Sequence, residues 1–414
     1  MNRLFPGCAD LPPQAQLPDP MIMLDGTAVT TPRQWFNSRR PELAQLFQHY
    51  MYGPTPSDPP AVVFRCKDDQ PCLDGTAVLR QVALDFGSGD EAPSGQARAI
   101  DLMLVLPAGS GPFPVIVGSN RFGNWTCLNH PGIEFARNHR FRAAQKSGGL
   151  AAVQKDLESM RGNSEELWPF RQAVQRGYAM ATFHCGDTAL DDAACRPVRL
   201  PAAGRTVQTA TIAAWAWGLS RCVDYLLTDG DIDARRICVF GHSRRGKAAL
   251  LAAAFDERIS VAFPHQAGCG GTAPSRRTNP LGESVTIINE RFPHWFSDEF
   301  KLFGGHEDRL PFDQHCLIAM VAPRAVLLTC GQQDQWADPP GQFEMLKAAD
   351  KVYRLLGIEG LSAGSPPPFD ELLDSPLGYF IHDGPHETTS LYWKVFMDYA
   401  DAQWRRKQVT VGSA

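Results

Sequence analysis

The chain has 414 residues, 43% of them hydrophobic and 21% charged, with 40 Lys and Arg against 45 Asp and Glu for a formal net charge of −5. A chain of that size and balance can bury a substantial core. Its slightly acidic character offers no electrostatic footprint for nucleic acid, and no run of about eighteen apolar residues is present to cross a bilayer, so a small-molecule or glycan substrate is the expectation.

Residues 1–75 are Pro-rich and irregular, with one helix-like segment in RPELAQLFQHYMYG, where Leu43, Leu46 and Phe47 fall at helical spacing. This segment is expected to pack on a catalytic domain formed by residues 76–414. Residues 76–86 and 97–107 alternate like half-exposed strands, whereas 113–120 is continuously apolar, as a strand buried on both faces would be. A long polar stretch, 121–172, reads as an insertion, and 177–187 resumes the strand signal. From there the alternation is steady: helix 207–228, strand 236–243, helix 244–255, strand 259–266, a loop-rich excursion to about 315, helix 313–323, strand 325–332, helix 340–357, strand 377–384 and a terminal helix 388–404. Apolar strands alternating with amphipathic helices predict an α/β fold with a doubly wound, mostly parallel sheet flanked by helices, a three-layer sandwich.

The eleven cysteines show no CxxC spacing that would suggest zinc. Cys66 and Cys72, and likewise Cys185 and Cys195, lie in polar loops and could close small rings. Cys222, Cys238 and Cys330 fall in apolar periodic stretches and read as core thiols. The N-terminus lacks the apolar stretch of a signal peptide.

The most informative segment is CVFGHSRRGKAA at 238–249, where an apolar strand gives way to an alanine-rich helix with a serine at the junction. In doubly wound sheets catalytic groups gather at the carboxyl ends of strands, and a strand, Gly-x-Ser, helix turn presents a nucleophile beside the backbone N–H groups of a helix N-terminus. Ser243 is therefore the candidate nucleophile, with helix capping as its other reading. Arg245 occupies the place of the usual second glycine, and Gly246 comes one residue later. A Ser, acid, His chain order requires a carboxylate after a later strand and a histidine after the last one. His382 and His386 are the two histidines beyond 377. His386, behind the turn Gly384-Pro385, is preferred, because His382 still belongs to the strand run. For the acid, CGQQDQWADPPG offers Asp334, directly after a strand, and Asp338, which before Pro339 also reads as a helix cap.

With those residues placed, the sequence resembles the glucuronoyl esterases, carbohydrate esterase family 15, and in particular the bacterial type within the α/β-hydrolase superfamily. The resemblance covers most of residues 100–400 through GSNRFGN, AWAWGLSRCVDYL, GHSRRGKAAL, GCGGTAPSRR, FPHWF, LPFDQHCLIAMVAPR and DQWADPPG. It implies a serine-dependent carboxylic ester hydrolase acting on esters of 4-O-methyl-glucuronic acid, as in links between glucuronoxylan and lignin, with no metal or cofactor, no nucleic acid and no membrane partner. A secreted or periplasmic location goes with it. The resemblance gives Ser243, His386 and Asp334 the catalytic roles, Arg244 the support of the oxyanion, and Lys247 and Trp336 contacts to the sugar. Arg245 is expected on a solvated helix face. Many family members carry a glutamate after the strand that follows the elbow. PHQAG places Gln266 there, so the acid role falls on Asp334. Glu290 lies near the position of a family glutamate that contacts sugar hydroxyls. Two other readings are a general or acetyl xylan-type esterase on the same scaffold, and a non-catalytic carbohydrate-binding descendant of the fold.

Overall fold

Along the central strands, successive side chains alternate between two apolar cores, and that alternation sets the architecture. In the strand 113–120, Val115 and Val117 enter one core while Ile116 enters the other. In 232–242, Ile237 and Val239 face one way, Cys238 and Phe240 the opposite way. Such strands are covered on both faces, which is why they read as continuous apolar runs. The computed structural model describes residues 5–87, 99–136, 150–276 and 279–411.

The strands are β1 (Val63–Cys66), β2 (Gln70–Cys72), β3 (Ala77–Asp85), β4 (Ala99–Pro107), β5 (Phe113–Asn120), β6 (Ala179–His184), β7 (Val198–Ala202), β8 (Arg205–Thr209), β9 (Ile232–His242), β10 (Val261–His265), β11 (Ala325–Gly331) and β12 (Leu377–His382). Ten of them form one sheet in the order β1-β3-β4-β6-β5-β9-β10-β11-β12, with β2 also paired to β3. From β6 to β12 every pairing is parallel, and β1 to β4 join antiparallel at one edge. The main helices are α1 (Arg40–Phe47), α2 (Thr211–Leu226), α3 (Arg244–Phe255), α4 (Val285–Arg291), α5 (Gln314–Ala319), α6 (Pro339–Leu355) and α7 (Ser390–Val411). Helices α2, α3, α5 and α6 cover one face of the sheet, and α7 the other, together with Trp125 and Trp168 from the 121–172 stretch. This is the α/β-hydrolase arrangement that the sequence predicts. Among the described residues no helix is long and apolar enough to cross a membrane.

Several local expectations change. The sheet begins before residue 75, because β1 and β2 pair with β3. The segment around α1 is integral to the core, with Trp35, Leu43, Phe47, Tyr50 and Met51 at 0% exposure. Helix α2 starts at Thr211 because the preceding residues form the hairpin β7–β8. The 121–172 stretch contains helices at Leu150–Ser159 and Phe170–Gln175, while 137–149 lie outside the described residues.

All eleven cysteines are free, so neither proposed ring closes. Cys66 sits opposite Val82 and Cys72 opposite Ala77 on β3. Five positions along a strand span about 17 Å, far beyond the roughly 7 Å that a disulfide tolerates between Cα atoms. Cys185 is buried beneath the end of β6, whereas Cys195 lies in a half-exposed turn.

Candidate active site

The strand β9 turns into α3 so tightly that only glycine fits at two points. A Cβ on Gly241 would stand 2.1 Å from the carbonyl oxygen of Arg245, and one on Gly246 would stand 2.8 Å from the carbonyl oxygen of Gly241. That close approach accounts for the displaced second glycine. Between them Ser243 is held at φ 60°, ψ −126°, a region that non-glycine residues rarely adopt. Its N–H donates to the carbonyl oxygen of His265 at 2.9 Å, which fixes the turn against β10. The Ser243 side chain makes no capping hydrogen bond to α3. The capping role is thus set aside, and the hydroxyl is left at the cavity wall beside the Arg244 N–H that opens the helix.

The acid and the histidine come from adjacent strand ends. β11 and β12 are parallel neighbours, and after them the backbones stay tied: Gln332 N–H donates to His382 O at 2.8 Å and Gln333 N–H to Gly384 O at 3.0 Å. His386 Nδ1 meets Asp334 Oδ2 at 2.6 Å, with the carboxylate side chain 5% exposed and the imidazole 41%. A buried carboxylate on Nδ1 fixes the tautomer and leaves Nε2 toward the open side. Asp338 instead caps α6, accepting from Gly341 N–H at 3.1 Å. His382 is hydrogen-bonded to Asp370 at 2.6 Å, away from this cavity.

Ser243, His386 and Asp334 line one open cavity of about 570 Å³, together with Arg244, Lys247, Trp336 and Gln266. Arg244 lies over the Trp295 ring at 4.4 Å and donates to Asp191 Oδ2 at 2.7 Å. Asp191 also accepts from His294 Nε2 at 3.0 Å and Trp295 Nε1 at 2.8 Å. Burial alone would raise the Asp191 pKa, but these hydrogen bonds and the Arg244 charge outweigh it and hold the carboxyl well below its usual range. Arg244 is in this way clamped from below and from the side. Lys247, 3% exposed, donates to the carbonyl oxygens of Ala267 and Cys269 and lies 3.9 Å from Glu283. Burial pulls the Lys247 ammonium down and pushes the Glu283 carboxyl up, each offset in part by the other's charge. Trp336 is 40% exposed, with the Arg291 guanidinium 5.4 Å from its ring, so it is a cavity wall and no core aromatic.

Two sequence expectations are corrected. Glu290 is exposed and outside the cavity; the carboxylate that lines it is Glu283, seven residues earlier. Gln266, expected among the substrate contacts, does line the cavity, while its amide meets His242 Nε2 at 3.0 Å and donates to Pro385 O at 3.1 Å. Arg245 is half-buried and faces a second cavity, off the solvated helix face. Sequence reasoning missed Glu283, Arg291 and Asp191, all of which lie in loops or short helices without periodicity. The one signal for Glu283 was its place directly before Ser284, the cap of α4.

His242, just before Ser243, lies with its ring tilted against that of His386 at 4.4 Å and that of His265 at 4.9 Å. Burial drives the His242 pKa well below the ordinary histidine value, and the neighbouring His265 and His386 add to this. His265 is neutral for the same reason, its pKa lowered to about 3, between Thr329 Oγ1 at 2.7 Å and Glu387 O at 2.8 Å. Among the described residues no group of His, Cys, Asp and Glu could hold a metal ion.

A serine on a strained elbow and an Asp–His pair at the carboxyl edge of a parallel sheet define an ester hydrolase of the α/β-hydrolase class. A family model described as glucuronyl esterase, fungi, matches residues 173–357. A carbohydrate esterase designated MZ0003, from an unknown prokaryotic organism, is 40% identical over 403 residues, covering 94% of this chain and 90% of its own. Among solved structures, a glucuronoyl esterase from Solibacter usitatus is 33% identical with a TM-score of 0.82, covering 96% of this chain and all of its own. A promiscuous CE15 esterase from a marine bacterial metagenome is 38% identical with a TM-score of 0.80, covering 95% and 98%. The chain belongs to carbohydrate esterase family 15, the glucuronoyl esterases.

Proposed function

We propose that this enzyme hydrolyses esters of glucuronic acid through Ser243, His386 and Asp334. The observation that carries the assignment is the 2.6 Å contact of His386 Nδ1 with the buried Asp334, in the cavity that Ser243 enters from its strained elbow. Ser243 Oγ attacks the uronate carbonyl as His386 Nε2 accepts its proton. The oxyanion forms beside the Arg244 N–H and guanidinium, both positioned before reaction. Collapse expels the alcohol, which takes the proton back from His386 and leaves the uronyl group esterified to Ser243. Water then attacks with its proton passing to His386, and uronate is released as Ser243 regains a proton. Lys247, Glu283 and Trp336 supply the oxygen-rich sugar with a donor, an acceptor and a stacking face.

The natural ester is taken to join glucuronoxylan to a lignin alcohol, which places the enzyme outside the cytoplasm. Nine of its eleven thiols are buried, where oxidation reaches them poorly. The open cavity and the promiscuity of one relative also support a broader reading, in which simple acyl esters are accepted as secondary substrates. Ser243→Ala should abolish turnover of methyl and benzyl glucuronate and leave the far-UV spectrum unchanged. Retained turnover would remove Ser243 from the mechanism, and equal kcat/KM on glucuronate and acetate esters in the parent enzyme would favour the broader reading.

A further inference from the structure

The elbow separates two cavities that share no lining residue. Ser243, Arg244 and Lys247 face the sugar cavity, while His242 and Arg245 face the other, which has a volume of about 150 Å³. That second volume matches a cavity known to accept one benzene ring, about 150 Å³. Phe122, Leu167, Trp168 and Phe240 form an apolar part of its wall beside polar side chains, and Phe122 stands 37% exposed. Arg245 enters it without a hydrogen bond or ion pair to any described residue. The carboxylate whose charge acts on it, Asp191, is already engaged by Arg244, His294 and Trp295. Arg121, also lining this cavity, adds a second positive charge. Two hydroxyls at the wall, Ser119 Oγ and Thr388 Oγ1, are buried and have no partner among the described residues.

A half-buried guanidinium without a counter-ion and two unpaired hydroxyls are costly unless a ligand completes them. Burial pulls the Arg245 pKa down, and the neighbouring Arg244 and Arg121 charges add to this. A planar guanidinium matches a carboxylate in two-point geometry, and a ring-sized apolar wall behind it selects an aromatic body. We propose that this cavity is a second subsite, separate from the sugar cavity, that binds an aromatic carboxylate of about the size of benzoate through Arg245.

The test is calorimetric titration of the enzyme with sodium benzoate. Saturable binding is expected, weaker by about tenfold or more in Arg245→Gln, as loss of a charge-assisted hydrogen bond requires. Benzamide, the neutral isostere, should bind the parent enzyme weakly by a similar factor. Free glucuronate should not displace benzoate. If Arg245→Gln fails to fold by circular dichroism, Thr388→Val takes its place and should weaken binding several-fold. Benzoate that never saturates, that binds Arg245→Gln or Thr388→Val as tightly as the parent, or that glucuronate displaces would each overturn the proposal.

Discussion

Replacing Asp334 by asparagine tests the active site most directly, because the side chain keeps its shape and loses only its charge. In the parent enzyme the carboxylate, 5% exposed, meets His386 Nδ1 at 2.6 Å. An ion pair at about 4 Å in an effective dielectric of 20 is worth roughly 4 kcal/mol, and at 1.36 kcal/mol per decade that is about a thousandfold in kcat. The amide can also turn its NH₂ toward the ring and stabilise the wrong tautomer, which brings the expected loss toward 10⁴-fold. The assay is hydrolysis of benzyl glucuronate near neutral pH, with Asp338→Asn as the comparison. Asparagine caps helices nearly as well as aspartate, so Asp338→Asn should be almost silent. Gln266→Glu should not rescue Asp334→Asn, since position 266 faces His242 rather than the Nδ1 of His386. An Asp334→Asn enzyme within tenfold of the parent, or one restored by a carboxylate at 266, would refute the assignment of the acid.

Asp191→Ala should lower kcat about 10- to 100-fold with little change in KM. It unclamps Arg244 without deleting it, and loss of a whole oxyanion donor costs about 10²–10³; a KM effect alone would show that Asp191 serves binding. Glu283→Gln should raise KM for methyl glucuronate several-fold while leaving para-nitrophenyl acetate hydrolysis unaffected, a split measured by comparing kcat/KM on the two esters. A third prediction concerns pH and stability. His265 is neutral in the fold, with its pKa lowered to about 3 by burial, and titrates near 6.5 when unfolded, so the unfolded state binds the extra proton. Its contribution is complete above pH 6.5 and is lost as pH falls from there toward 3, by about 1.4 kcal/mol per pH unit. Denaturant unfolding at pH 7 and 4.5 should therefore show a smaller pH loss in His265→Gln than in the parent, and equal losses would contradict the buried neutral state.

The central strands were legible because they are apolar on both faces, and the grouping of Ser243, His386 and Asp334 was legible because each follows a strand end that composition marks clearly. β1 and β2 were not, since β1 is largely exposed, and its VFRC run offers no period. The hairpin β7–β8 is short and its second strand is mostly polar, so β7 was not read as a strand and the end of β8 was taken into the helix that follows. Arg245 was misjudged for a geometric reason. Residues on the first turn of a helix step round by about 100° each, so Arg245 diverges from Arg244, while Lys247 comes back to the Arg244 side. A cluster of basic letters therefore hides two separate destinations, one cavity for Arg244 and Lys247 and another for Arg245. Glu283 and Asp191 lie where tertiary packing alone decides which side chain reaches the cavity. Glu290 lies on α4, on an exposed position, whereas Glu283 lies in the loop just before that helix, and only the fold shows which of the two reaches the cavity.

The backbone of Ser243, held at φ 60°, ψ −126°, sets durability against catalysis at a single codon. Glycine occupies that region freely, whereas a side chain there costs about 1–3 kcal/mol. A library screened for heat resistance alone would reward Ser243→Gly and discard the proposed nucleophile among its first gains. Any laboratory evolution of a hardier biocatalyst from this scaffold has to select for turnover in every round.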